Sequence, residues 1–316
     1  MSDFSGALPP SVNTETCMEN FYGILPAVVT PFDDGGNFMP GAFERLLECL
    51  YGAGVHGIYV CGQTGEGLLQ PPSQRKAVAE CAVRCSPAGK QVIVHVGAAR
   101  TSDAVDLARH AAHIGAHAIS SLPPAGGYSF TELKSYYTEL AAASDLPLLV
   151  YYFPQVSTAI QTADQILELC AIPSVIGLKF TDFDLFRLAT VKQHGAIVFS
   201  GRDEVLVPGL LMGADGGIGS FYNLVPELFL QVYTRARAGD WEGARSVQLR
   251  INELIRISLR FPVYAAIKAM LEWSGTDCGR VLPPRRSLTA AEKAELHGLL
   301  AASSFAGAPL AGVAIV

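Results

Sequence analysis

Short apolar runs alternate along the chain with longer stretches whose apolar residues recur at helical spacing. The short runs are continuous and rich in Val and Ile rather than alternating with polar residues, as expected of strands covered on both faces. They predict strands at Ile24–Thr30, His56–Cys61, Gln91–Val96, His117–Leu122, Leu148–Phe153, Val175–Phe180, Ala196–Gly201 and Asp215–Ser220. The amphipathic stretches predict helices near Pro40–Ala53, Ser73–Cys85, Thr101–Ile114, Thr131–Ala143, Ala163–Cys170, Phe183–Gln193, Glu204–Met212 and Pro226–Ala238. Thr101 or Ser102 is the expected cap of the third helix. Eight strand–helix units predict an α/β chain folded as a (β/α)8 TIM barrel, with an open doubly wound sheet as the competitor. After Ala238 the pattern is helical only, at Trp241–Ser258, Val263–Trp273 and Thr289–Ala301. This reads as a C-terminal three-helix extension rather than a second catalytic domain. The expected organisation is a disordered arm over 1–20, a barrel over 21–238, a helical region over 239–302 and a small, apolar tail over 303–316 whose order the sequence leaves open.

Composition narrows the class. The 316 residues are 50% hydrophobic and 16% charged, which supports a sizeable core and argues against disorder. A net charge of -6 offers no general footprint for nucleic acid, although one local site can still hold an anion. The cysteines at 17, 49, 61, 81, 85, 170 and 278 are scattered, so reduced thiols are expected and no zinc site. No apolar run is long enough to suggest a membrane span, and the first residues lack a basic-then-apolar signal pattern. A cytoplasmic protein is the resulting expectation. No dinucleotide fingerprint, phosphate-binding loop or metal cluster stands out.

Barrel enzymes carry their chemistry at the carboxyl ends of the strands. Those ends read Gly62-Gln63-Thr64-Gly65-Glu66, Tyr151-Tyr152-Phe153-Pro154, Lys179-Phe180-Thr181, Gly201-Arg202-Asp203-Glu204 and Gly217-Ile218-Gly219-Ser220. Lys179 closes an apolar run. A desolvated lysine favours its neutral amine, a nucleophile toward carbonyls; a strand-end lysine reaching solvent is the plainer alternative. Tyr151 is either a proton carrier or a core tyrosine. The Gly-rich loop after the second strand either binds an anion with free amides or is simply a tight turn. Taken alone, Asp203 and Glu204 read as residues that cap and charge the start of the following helix.

Taken together, these motifs resemble the dihydrodipicolinate synthase/N-acetylneuraminate lyase family of class I aldolases. The resemblance spans roughly residues 21–302. It rests on Gly-x-Thr-Gly-Glu, Tyr-x-x-Pro, Gly-Leu-Lys and Gly-Ala-Asp-Gly-Gly-Ile-Gly-Ser, with Pro26 and Thr30-Pro31-Phe32 before them. It implies that Lys179 forms an imine with a 2-keto acid and that Tyr151 shuttles the proton. It implies that Thr64, with Gln63 and Gly65, holds the substrate carboxylate, while Glu66 organises the loop. No added cofactor or metal is implied, and a homotetramer, a dimer of dimers, is expected by analogy.

Two departures argue against the synthase branch. Val156 stands where synthases carry an arginine that grips a second carboxylate, and Tyr128 is displaced from the position of their relay tyrosine. The lyase branch fits better: Gly201, Asp203, Glu204, Thr181 and Ser220 match its sugar-chain-binding positions. Gln63 departs from the usual Ser or Thr, which would alter the carboxylate pocket. The expected function is therefore a pyruvate-dependent lyase acting on a small-molecule keto acid, with N-acetylneuraminate as the leading substrate. A 2-keto-3-deoxy sugar acid aldolase or dehydratase is the alternative, and a catalytically lapsed keto-acid-binding barrel is an alternative of another class.

Overall fold

The computed structural model describes residues 21–307 and the backbone of residues 309–310 and 313–314. The expected N-terminal arm lies outside these residues, as does most of the expected tail. Eight strands alternate with helices: β1 (Gly23–Pro26), α1 (Pro40–Gly52), β2 (Gly57–Val60), α2 (Pro72–Cys85), β3 (Gln91–His95), α3 (Thr101–His113), β4 (Ala118–Ser121), α4 (Phe130–Ala141). They continue with β5 (Leu148–Tyr152), α5 (Ala163–Cys170), β6 (Val175–Phe180), α6 (Leu185–Gln193), β7 (Ile197–Ser200), α7 (Leu206–Leu211), β8 (Gly216–Gly219) and α8 (Pro226–Arg237). The sheet is parallel throughout and ordered β1-β8-β7-β6-β5-β4-β3-β2. A bridge between Ala27 and Tyr59 joins its two ends, so the sheet closes into the expected barrel rather than the open alternative.

The near-continuous apolar runs follow from this geometry. One side of each strand faces the helices and the other fills the barrel, and both sides are buried. Leu148, Val150 and Tyr152 of β5 pack outward, whereas Leu149 and Tyr151 point in with Leu25, Ile93, Ile197, Phe199 and Ile218. Each fully buried large apolar side chain contributes roughly 1.5–3 kcal/mol.

The first strand is shorter than its apolar run. Beyond Pro26 the chain leaves the ladder to make other bonds. The Val28 amide donates to the Tyr59 carbonyl, closing the barrel, and the Val29 amide donates to Asn223 Oδ1. The Thr30 hydroxyl donates to the Gly65 carbonyl. The third helix also differs from expectation. Arg100, extended at φ −101°, ψ 129°, occupies the cap position, and Thr101 is already helical, so neither Thr101 nor Ser102 caps it. The predicted helix at Glu204–Met212 divides into a 3-10 turn at Asp203–Val205 and α7.

Three C-terminal helices follow: α9 (Trp241–Ser258), α10 (Val263–Trp273) and α11 (Ala290–Ala301). α9 packs on α8 and braces the β7 end: Gln248 Nε2 donates to the Asp203 carbonyl at 2.9 Å, and Asn252 Nδ2 to the Glu204 carbonyl at 3.0 Å. The segment after α10 returns to the front of the barrel, where Gly279 bridges Phe32. A short antiparallel pair, β9 (Pro309–Leu310) with β10 (Val313–Ala314), ends the described chain. Among the described residues no helix is long and apolar enough to cross a membrane.

Candidate active site

Strand register brings Lys179 and Tyr151 together. They are Cα partners in the β5–β6 ladder, and both point into the barrel. The register shifts between Leu148 and Leu149, beside Gly177. A Cβ on Gly177 would lie 1.9 Å from the Ile197 carbonyl oxygen, so a bare glycine is needed where the strand bends.

Lys179 is only 3% exposed. Its Nζ sits 4.2 Å from the ring centre of Tyr151 and 4.5 Å from that of Tyr59. Burial pulls its ammonium from the ordinary 10.5 down to about 7, with the Asp203 charge opposing that fall. The amine is thus substantially neutral near physiological pH. Burial pushes the Tyr151 phenol well above its ordinary range, and the Tyr264 phenol adds to this. The Thr181 hydroxyl and the Arg202 guanidinium pull it back, although Thr181 Oγ1 completes no hydrogen bond among the described residues.

Asp203 is buried too, and burial raises its carboxyl from 3.8 to about 7 against the pull of the Phe221 amide; Glu204 pushes it further up. Its Oδ2 accepts that amide at 2.8 Å, at the 3-10 turn following β8. Asp203 therefore ties β7 to β8 instead of capping its own helix, which has no side-chain cap. A Cβ on Gly219 would sit 2.0 Å from Asp203 Oδ1, and one on Gly201 would sit 2.0 Å from Thr181 Oγ1. Both glycines make room for the neighbouring functional group.

The Gly-rich loop is held through the Gly65 carbonyl. The Gly65 carbonyl accepts from Thr30 Oγ1 at 2.8 Å and Gln70 Nε2 at 2.7 Å. Among the described residues the amides of Thr64 and Gly65 donate to no carbonyl, so they remain available to an anion. Thr64 Oγ1 lies 2.6 Å from Ser220 Oγ. Ser220, expected at the sugar-chain end, thus makes its contact at the carboxylate end. Asn223 fixes it there, donating through Nδ2 to the carbonyls of both Ser220 and Ala27.

Glu66 organises the loop from below. It adopts a left-handed conformation at φ 56°, is fully buried, and pairs with Lys268 Nζ at 3.0 Å while accepting the Leu282 amide at 2.8 Å. Arg285 donates to the Gln63 carbonyl at 3.1 and 3.2 Å and to Gln63 Oε1 at 3.3 Å. The Gln63 side chain is therefore tied to Arg285.

Several contributors were not singled out from the sequence. Tyr59 flanks the lysine, and its hydroxyl donates to Ser120 Oγ at 3.1 Å. His95, inside the barrel, is held well below its ordinary range by burial, Arg75 and Lys179; it stays neutral and accepts the Leu122 amide through Nε2. Tyr264, Lys268 and Arg285 come from the C-terminal region. Lys268 does carry a signal, a lone charge in the apolar run Ala265–Leu271. Tyr128 is exposed, and Val156 packs beside Phe153 on the inner apolar cluster.

The chain matches the dihydrodipicolinate synthetase family over residues 20–303. It is 35% identical over 280 residues to the N-acetylneuraminate lyase of Rhizobium meliloti (strain 1021), covering 88% of this chain and 92% of that one. It is 33% identical to N-acetylneuraminate lyase 2 of Escherichia coli O6:H1, over 81% of this chain and 85% of that one. Among solved structures, a Ruminococcus gnavus sialic acid aldolase superimposes with a TM-score of 0.85 at 30% identity, covering 89% of this chain and 96% of that one. The Clostridium difficile protein CdNal, in complex with mannosamine, gives a TM-score of 0.86 at 28% identity, covering 90% and 99%.

Proposed function

Because the chain belongs to the dihydrodipicolinate synthetase family and is an N-acetylneuraminate lyase-like aldolase, we propose that it cleaves a 2-keto-3-deoxy sugar acid through an imine on Lys179. N-acetylneuraminate, giving pyruvate and N-acetylmannosamine, is the leading substrate, since the relatives named above are N-acetylneuraminate lyases. The observation that carries this reading is the buried Lys179 amine, brought to about 7 and set 4.2 Å from the Tyr151 ring.

In the proposed sequence the neutral Lys179 amine adds to the keto carbon to give a carbinolamine, and the Tyr151 phenol protonates the departing hydroxyl, so that water leaves behind a protonated imine and a Tyr151 phenolate. The new positive charge beside Tyr151 favours its phenolate, which takes the proton of the C4 hydroxyl. The C3–C4 bond breaks, its electron pair moves into the imine to give an enamine, and the C4 fragment departs as an aldehyde. Protonation of the enamine carbon and hydrolysis release pyruvate and restore the amine. Thr64 and the free amides of its loop hold the carboxylate. Thr181, Gly201, Asp203 and Glu204 are assigned to the sugar-chain side, whereas Ser220 stands with Thr64 at the carboxylate end. The imine is itself the electron sink, so the proposed chemistry calls for no added cofactor or metal. A homotetramer is proposed by analogy with the family.

Pyruvate release, followed by a coupled assay over N-acetylneuraminate, 2-keto-3-deoxygluconate and aspartate semialdehyde plus pyruvate, tests the reading. Release from at least one keto-deoxy acid, with no condensation of the semialdehyde, is expected. No turnover of any keto-deoxy acid would leave the lapsed-barrel alternative standing.

A further inference from the structure

Arg202 is the variable position within Gly201-x-Asp203-Glu204, at the carboxyl end of β7. Its guanidinium carbon lies 4.5 Å from the ring centre of Phe183 and 5.3 Å from that of Phe153. Those rings follow β6 and β5, so the side chain leans from β7 back over the β6 end. Long arginine side chains usually carry their charged head out to water. Here Nε and Nη2 are buried and bond to nothing among the described residues, although Asp203 and Glu204 are the next residues in the chain. An arginine keeps its charge and all five N–H donors, and leaving buried donors unpaired is costly.

A second observation shows which way the charge faces. The guanidinium is felt at the hydroxyls of both Tyr151 and Tyr264, pulling each toward its ionised form. Phe153 also stacks on Tyr151, ring centres 5.9 Å apart, so Arg202 and Tyr151 touch the same ring beside Lys179. In the closed ring β6 stands four strands from β2 in either direction. Arg202, over β6, and the proposed carboxylate seat at Thr64, after β2, thus lie across the mouth from each other, with Lys179 below. A keto acid seated by its carboxylate at Thr64 and bonded to Lys179 would direct its far end toward Arg202.

We propose that Arg202 binds a second anionic group, a carboxylate or phosphate at the far end of the keto acid, so that the substrate class of this site is a dianionic 2-keto-3-deoxy acid. The proposal rests on the imine-forming reading but moves its substrate away from N-acetylneuraminate, which carries a single carboxylate and a neutral polyol chain, toward the 2-keto-3-deoxy acids named as the alternative. A planar fork of N–H donors matches two anionic oxygens, whereas a neutral polyol supplies only single, weaker acceptors. The stacked rings fix the plane of that fork and keep water from one of its faces.

The test uses full-length protein and substrates that differ only at the far end: 2-keto-3-deoxygluconate with a terminal hydroxymethyl, 2-keto-3-deoxyglucarate with a terminal carboxylate, and 2-keto-3-deoxy-6-phosphogluconate with a phosphate. The expected result is that at least one dianionic substrate exceeds the neutral one by about tenfold or more in kcat/KM, in line with a charge-assisted bidentate contact. Arg202→Gln should reduce kcat/KM for the favoured dianion far more than for the neutral substrate, mainly through KM, and Arg202→Lys should restore part of the difference. A wild-type preference for the neutral acid, or an equal loss on all substrates in both variants, overturns the proposal. Reductive trapping of pyruvate on Lys179 is run on the same preparations. A trapped adduct without anion preference overturns the role of Arg202 alone, whereas no adduct overturns the imine reading beneath it.

Discussion

Burial brings Lys179 toward the neutral amine that the proposed mechanism requires. The barrel interior lowers its ammonium to about 7, and Asp203, itself raised to about 7, supplies the one charge identified as opposing that fall. Only the neutral amine attacks a carbonyl, so the rate of imine formation should rise with pH through about 7 and level off above it. Asp203→Asn removes the negative charge that favours the ammonium, which should move the midpoint to lower pH. Trapping rates with pyruvate and cyanoborohydride across about pH 5.5–9, a range of about three and a half units set by the pKa values involved, measure both. A midpoint that stays put in the variant would show that Asp203 does not tune the lysine. For Tyr151, replacement by Phe removes the proton carrier but keeps the ring beside the amine. Turnover should fall by about 10²–10⁴-fold while trapped pyruvate is still detected. At this scale the sequence was informative. An apolar run ending in lysine, with Tyr-x-x-Pro on the strand before it, pointed to two residues that the register makes neighbours. Arg202 was harder to read, because its unpaired nitrogens are a property of the folded mouth and not of any spacing.

The Gly-rich loop after β2 is joined to helix α10 by the Glu66–Lys268 pair and to the segment after that helix by the Leu282–Glu66 bond, some two hundred positions away in the chain. Glu66 and Lys268 are both buried, and removing one partner of such a pair strands the other charge at a cost of about 3–5 kcal/mol. Glu66→Gln and Lys268→Met should each lower Tm clearly. Because the loop carries Thr64, surviving protein should show a raised KM for the keto acid. The double change Glu66→Leu/Lys268→Met should recover part of the stability, since neither charge is then left alone; strictly additive losses would argue against direct coupling. This long-range bracing was not legible in the sequence. Local periodicity located the C-terminal helices well, but a helical pattern cannot say which loop a buried lysine reaches. The short β1 has a similar cause, since Ala27–Thr30 is apolar enough for a strand but is recruited to close the barrel and hold Gly65.

The whole molecule gathers the candidate site at the carboxyl face of the barrel and roofs it with its C-terminal region. Barrel class and strand count were readable because both faces of every strand are buried, leaving eight short runs that, Lys179 apart, carry no Lys, Arg, Asp or Glu. The roof was not, because Tyr264 and Arg285 act through tertiary contacts alone. If ligand binding joins these parts, pyruvate should raise Tm with the logarithm of its concentration once above its Kd, and Lys179→Ala should lose most of that rise. The most direct measurement is mass spectrometry of peptides after the protein is treated with pyruvate and cyanoborohydride. The predicted result is one added group, pyruvate less one oxygen atom, on Lys179 and on no other lysine. An unmodified Lys179 under saturating pyruvate, or an adduct confined to another residue, would contradict the imine mechanism.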